Sequence, residues 1–253
     1  MNSSNIKVLK DHDEISRQAA DEILHQANRM EPSAGKFTIA LSGGSTPGRL
    51  YRRLGSEPAV RSRLPWDTIH FFWGDERHVP PNHSQSNYRM ACDTLFATAP
   101  VPLQNIHRVS AEEPDAAISA EKYERALYSF FELEPGRLPR FDCILLGIGP
   151  DGHTASLFPG TDALHEKKRL VVANWVEKLQ THRITMTAPV LNQAALIMFL
   201  VSGKEKAEVL KEILEGDCRP DLLPAQLIRP ENGRLLWLVD QEAASSLTDT
   251  IKS

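Results

Sequence analysis

Cysteine is scarce in this chain of 253 residues, with three in all. Cys92, Cys143 and Cys218 lie far apart with no paired spacing, which excludes a disulfide framework and a cysteine-based zinc motif. No run of about 18 apolar residues occurs, so no segment reads as a transmembrane helix. Positive charge is not in excess either. Against 33 Asp and Glu stand 29 Lys and Arg, a net charge of −4, which argues against a general nucleic-acid or anionic-membrane surface. An anion must therefore be met by a few placed cations. The stretch with Asp11, Asp13 and Glu14 has no apolar region of a secretory signal, so a cytoplasmic location is expected. Internal repeats, low-complexity tracts and domain linkers are also lacking, and residues 1–253 are expected to form one domain.

What is present is an ordinary globular mix, 41% hydrophobic and 25% charged, long enough for a sizeable core. Ile15, Ala19, Ala20, Ile23, Leu24 and Ala27 recur at helical spacing and predict a helix over roughly 12–30. Short β-rich runs follow at Phe37–Leu41, Ile69–Trp73, about 141–147, Leu170–Asn174, Ile184–Thr187, Leu196–Val201 and Leu235–Val239. Helical stretches are predicted at 49–54, 87–97, 112–131 and 204–215. Short apolar runs alternating with helices mark a parallel sheet covered on both faces, hence an α/β fold.

The most informative stretch begins where the apolar run Cys143–Leu146 stops at a turn containing Gly147, Gly149, Pro150 and Gly152. That turn holds Asp151 and His153 two residues apart, at a strand's carboxyl end, where open α/β sheets bind ligands. Imidazole is the side chain with an ordinary pKa near neutrality, and a neighbouring carboxylate can fix its tautomer, so the pair suits proton transfer. Taken alone, Asp-x-His is more often a solvated turn that caps the next helix. Gly147, Gly149 and Gly152 also match a dinucleotide fingerprint, but Asp151 puts negative charge where the pyrophosphate belongs. The next strand also lacks an acid about 20 residues on, so no nucleotide cofactor is expected.

Ser42-Gly43-Gly44-Ser45-Thr46-Pro47 opens from a strand into a helix, with glycines, hydroxyls and a first-turn proline suited to cradling a phosphate. It lacks the lysine of a Walker loop and the last glycine of a nucleophile elbow. Asp75, Glu76 and Arg77 close the Ile69–Trp73 run, and Arg77 can meet a phosphate through two nitrogens. Arg183 precedes a strand and Lys206 follows Ser202-Gly203. His78 and His83 lack metal-pair spacing, and no metal is expected.

Together, LSGGSTP at 41–47, GDERHVP at 74–80, NHSQSNY at 82–88, GIGPDGHTASLFPG at 147–160, RITMT at 183–187 and SGKEKAE at 202–208 resemble the motifs of 6-phosphogluconolactonases, in matching order across roughly residues 10–240. The resemblance implies a three-layer α/β/α sandwich with a mostly parallel sheet, shared with glucosamine-6-phosphate deaminases and ribose-5-phosphate isomerases. It also implies hydrolysis of 6-phospho-D-glucono-1,5-lactone without cofactor or metal. The deaminase motif resembles DGHIAFNEP, with a ring-opening glutamate just before its proline. Here Phe158 stands at that position, and Arg77 stands where deaminases usually carry an aromatic residue; both favour the lactonase.

On this resemblance, His153 activates a water as general base and returns the proton to the ring-oxygen leaving group. Asp151 orients either His153 or the water. Arg77, Arg183, Lys206 and the Ser42–Gly43–Gly44–Ser45 turn hold the 6-phosphate, with Asp75 beside them, and Asn87 is carried over as a contact to ring hydroxyls. Backbone N–H groups of the Gly147–Gly152 turn or a cation are candidates for stabilising the oxyanion. The expected partner is the sugar-phosphate lactone, with no nucleic acid and no membrane, and the expected state is a monomer or weak homo-oligomer. An isomerase or deaminase on the same scaffold, or a sugar-phosphate-binding module without turnover, are the competing classes.

Overall fold

A computed structural model describes residues 6–29 and 35–249. Six strands form one parallel sheet: β1 (Ile6–Leu9), β2 (Phe37–Leu41), β3 (Ile69–Trp73), β5 (Cys143–Leu146), β8 (Leu196–Val201) and β9 (Arg234–Asp240). Their order is β1-β9-β8-β5-β2-β3. The interior strands β2, β5 and β8 are buried at every position, as a sheet covered on both faces requires. All six strands run the same way, so their carboxyl ends share one rim at Leu9, Leu41, Trp73, Leu146, Val201 and Asp240.

Helices flank this sheet to make the three-layer α/β/α sandwich. Helix α1 (His12–Arg29) turns Ile15, Ala19, Ile23, Leu24 and Ala27 inward, and Asp11 Oδ1 accepts from Glu14 N–H at 3.0 Å at its start. It packs on β9 and on α2 (Ser45–Ser56), which begins at Gly44 with φ +109° and buries Leu50, Tyr51 and Leu54. Short helices α3 (Pro58–Arg61) and α4 (Asn87–Ala91) follow, the latter continued by a π turn at Cys92–Phe96. Helix α5 (Ala116–Phe130) starts later than the predicted 112. Asp115 Oδ1 caps it by accepting from Ala117 N–H at 2.8 Å, which leaves Pro114 outside. Two more helices, α6 (Ala188–Asn192) and α7 (Ala207–Glu215), complete the set; 3₁₀ turns at Lys204–Lys206 account for the rest of the stretch predicted at 204–215.

The predicted strands at 170–174 and 184–187 form, but in a different sheet. With β4 (Asp75–Arg77), strands β6 (Val171–Val176) and β7 (Thr181–Met186) make an antiparallel sheet in the order β4-β7-β6. β4 was expected as a turn. Three charged residues carry no apolar pattern, and only pairing with β7 makes them a strand. Gly74 is the hinge between the sheets: its N–H donates to Leu41 O and its carbonyl accepts from Met186 N–H. β1 also went unforeseen, being a four-residue edge strand that is only partly buried.

Candidate active site

The loop after β5 is folded by its own backbone. Gly149 N–H donates to His153 O at 2.9 Å, Gly152 N–H to Gly149 O at 3.1 Å, and Thr154 Oγ1 to Gly147 O at 2.9 Å. A side chain at Gly149 would strike the His153 ring at 2.0 Å and Asp151 Oδ1 at 2.6 Å, so glycine there makes room for the pair. Gly152 takes φ +76° against Leu223, and Ala155 takes φ +47°, a left-handed backbone that alanine adopts at a cost.

Within this loop, Asp151 Oδ1 lies 2.5 Å from His153 Nδ1. The carboxylate's other oxygen, Oδ2, pairs with Lys178 Nζ. His153 stacks on Phe158, with ring centroids 4.1 Å apart and planes 25° apart. Burial lowers the imidazole pKa to about 4; Asp75 opposes the shift, while Lys206, Arg77 and Arg183 add to it. At neutral pH the ring is uncharged. With Nδ1 engaged by the carboxylate, Nε2 is the nitrogen left to accept a proton.

The small sheet supplies the charges around the ring. Asp75 pairs with Thr185 in the register, and Arg77 with Arg183, so all four belong to one face. Two arginines side by side repel each other: burial and Arg77 lower the Arg183 pKa, and Asp75 and Glu76 oppose this. Arg77 Nη1 donates to Gln85 O at 2.9 Å, while its Nε is buried without a partner. A buried N–H with no acceptor is costly and leaves this guanidinium with a donor to offer a ligand. Ser42 Oγ is likewise buried and unpaired, and the Ser42 backbone is splinted by Tyr51, whose hydroxyl accepts from Ser42 N–H and donates to Ser42 O. The next turn is the α2 N-terminus, at Gly44 and the exposed Ser45.

Asn87 is a buried brace. Its Nδ2 donates to Asp75 O at 2.9 Å and its Oδ1 presses on Gly43, where an added Cβ would lie 2.1 Å away. Glycine at 43 thus admits Asn87 as well as leaving backbone open. The resemblance implied an Asn87 contact to sugar hydroxyls; in this structure the amide ties the Gly43 turn to Asp75. Glu76, passed over in the sequence, is buried and accepts backbone N–H groups from Arg77, Asn87 and Tyr88 at 2.7–2.8 Å. Burial raises its pKa against those bonds, and the cage they form fixes the 82–88 loop beside β4.

Ser156 and Lys178 were also missed. Ser156 Oγ donates to Asp75 Oδ2 at 2.6 Å, its N–H to Thr185 Oγ1 at 3.3 Å, and its carbonyl accepts from Asn174 Nδ2 at 2.9 Å. It clamps the Asp151–His153 loop onto the small sheet, and no local pattern announces it. Among the described residues, no group of three or more His, Cys, Asp or Glu is placed to hold a metal ion. No described helix is long and apolar enough to cross a membrane.

Residues 10–237 match the family profile described as glucosamine-6-phosphate isomerases/6-phosphogluconolactonase. The chain belongs to the 6-phosphogluconolactonase family within that superfamily. It is 40% identical to a 6-phosphogluconolactonase of Nostoc sp. over 96% of this chain and 98% of the relative. Over 84% of this chain and 85% of the relative, it is 45% identical to one from Synechocystis sp.. The solved 6-phosphogluconolactonase of Trypanosoma brucei aligns with a TM-score of 0.85 and 30% identity, covering 96% of this chain and 98% of that one. A monomeric glucosamine-6-phosphate deaminase shares the fold, with a TM-score of 0.78 at 23% identity, over 96% and 99% of the two chains.

Proposed function

We infer that this chain is a carboxylic ester hydrolase that opens 6-phosphogluconolactone to 6-phosphogluconate, the second step of the oxidative pentose phosphate pathway, by direct attack of water. The single observation that carries the mechanism is the Asp151–His153 contact: a neutral imidazole held through Nδ1 presents Nε2 as a general base. The carboxylate therefore orients the histidine and not the water.

The lactone is already a reactive ester, so positioning plus one proton relay accounts for turnover. His153 takes a proton from water as it attacks the carbonyl, then delivers that proton to the ring oxygen as the C–O bond breaks. Arg77, Arg183 and Lys206, with Ser42, Gly44 and Ser45 at the head of α2, hold the phosphate. Asp75 and Asn87 keep these groups in register. Phosphate binding also tunes the base: neutralising the cations that depress His153 raises its pKa toward the working pH. Phe158 cannot carry the proton that ring-opening isomerase chemistry needs, and its ring is committed to stacking on His153.

Nearly all the buried apolar residues among those described form one cluster, which supports a single domain; a cytoplasmic location and a monomer or weak homo-oligomer belong to the same proposal. The test generates the lactone in situ and follows its loss. A folded His153→Ala protein is expected to lose about 10²–10⁴-fold in kcat, the scale of one acid–base group. Near-normal turnover by that variant removes His153 from the mechanism.

A further inference from the structure

Beside the dyad runs a hairpin whose tip has no role in the chemistry so far described. It consists of β6, a 3₁₀ turn at Glu177–Leu179, Gln180 at φ +49° and β7. Lys178 on this tip reaches Asp151 Oδ2, the oxygen that His153 does not use, and its Nζ lies 4.8 Å from the centroid of the Phe158 ring. We propose that Lys178 is a positioning residue for the lactonase reaction: it pins the free oxygen of Asp151 and covers the outer face of the Phe158–His153 stack, so that the imidazole stays in its working orientation.

Three observations support this. A carboxylate held through one oxygen can rotate about its terminal torsion, whereas one held through both cannot. The neighbouring acid does not compete for the ammonium, because Glu177 accepts from Trp175 Nε1 at 2.7 Å and from Gln180 Nε2 at 2.8 Å. Finally, Lys178 approaches from outside the phosphate seat. It lines a cleft of about 830 Å³ with Asp151, Phe158 and Trp175, and the lining includes none of Ser42, Arg77, Arg183 or Lys206. An effect of Lys178 should therefore appear in kcat and not in KM.

The inference rests on His153 being the base, and its test is separable from that reading. Lys178→Met keeps the aliphatic stem over Phe158 and removes the charge. It is expected to lower kcat by roughly 5- to 30-fold, inside the range for coupled neighbours, with KM within about twofold. The uncompensated Asp151 charge then favours imidazolium, so the acid limb of the kcat profile moves to higher pH. Lys178→Arg should restore most of the loss. In Asp151→Asn, adding Lys178→Met should change little further, since the shared contact is already gone. A Lys178→Met enzyme with wild-type kcat and acid limb, while His153→Ala is inactive, overturns the inference and leaves the base assignment standing. A loss that simply multiplies that of Asp151→Asn overturns it equally. Should His153→Ala stay active, the base assignment itself falls, and this inference with it.

Discussion

The interior strands of the parallel sheet and the β4–β7 pair of the small sheet differ in kind of sequence. β2, β5 and β8 in the parallel sheet are apolar at nearly every position and wholly buried, whereas β4 is Asp-Glu-Arg and β7 opens Thr-His-Arg. The first sheet derives its stability from burial, which is non-directional and tolerant of detail. The second buries Val171, Ile184 and Met186 in the same core, and it also carries charge. It sets Asp75 opposite Thr185 and Arg77 opposite Arg183, so that like charges stand together beside the imidazole. A domain of this design adds a charged face to a sheet that shares the common core.

Substitutions can break that comparison. The largest expected effect is on the parallel sheet: Leu145→Ala, at a fully buried position, should cost about 2–5 kcal/mol of stability by denaturant titration. The folded fraction should nevertheless keep its KM; a raised KM would mean that the core of β5 also shapes the ligand seat, beyond the rim residues Ser42, Gly44 and Ser45 already proposed to line it. Arg77→Ala reverses the pattern. Losing a charge-assisted contact worth roughly 1.5–3 kcal/mol should raise KM by about 10- to 100-fold, with stability hardly changed because the Arg77–Arg183 repulsion is relieved. A drop in kcat alone would move Arg77 to the reacting carbonyl.

The smallest effect sharpens the comparison through one proton. Followed by NMR, the His153 ring should titrate at about 4 in the free protein and move upward when inorganic phosphate is added. A ring titrating at about 6.5, its ordinary value, and indifferent to phosphate would disconnect the dyad from the small sheet. The same shift acts on stability. Because the folded pKa lies below the unfolded one, the unfolded chain binds this proton first. The contribution of the neutral ring is complete above about 6.5 and is lost as the pH falls toward 4.

Five of the six strands of the parallel sheet were legible in the sequence, because burial on both faces writes itself as short apolar runs; partly buried β1 was not. Phe37–Leu41, Ile69–Trp73 and Leu196–Val201 were bounded to the residue. Strands β6 and β7 were visible too, but composition carries no sign of which sheet a strand joins. β4 was hidden, since nothing in Asp-Glu-Arg distinguishes a strand from a turn until β7 pairs with it. Among the site residues, Asp151 and His153 were legible because they follow an apolar strand within a glycine turn. Lys178, Ser156 and Glu76 were not: each acts through a partner distant in sequence or through backbone amides, and an isolated Lys, Ser or Glu is the commonest kind of surface residue.

The unpartnered Nε of Arg77 has a practical side. If Arg77 grips the phosphate as proposed, the recess would not distinguish sharply between that doubly charged tail and small tetrahedral oxyanions dissolved around it. Buffers of phosphate or sulfate would sit in the place reserved for the sugar ester, and kinetic constants taken in them would describe a partly blocked enzyme.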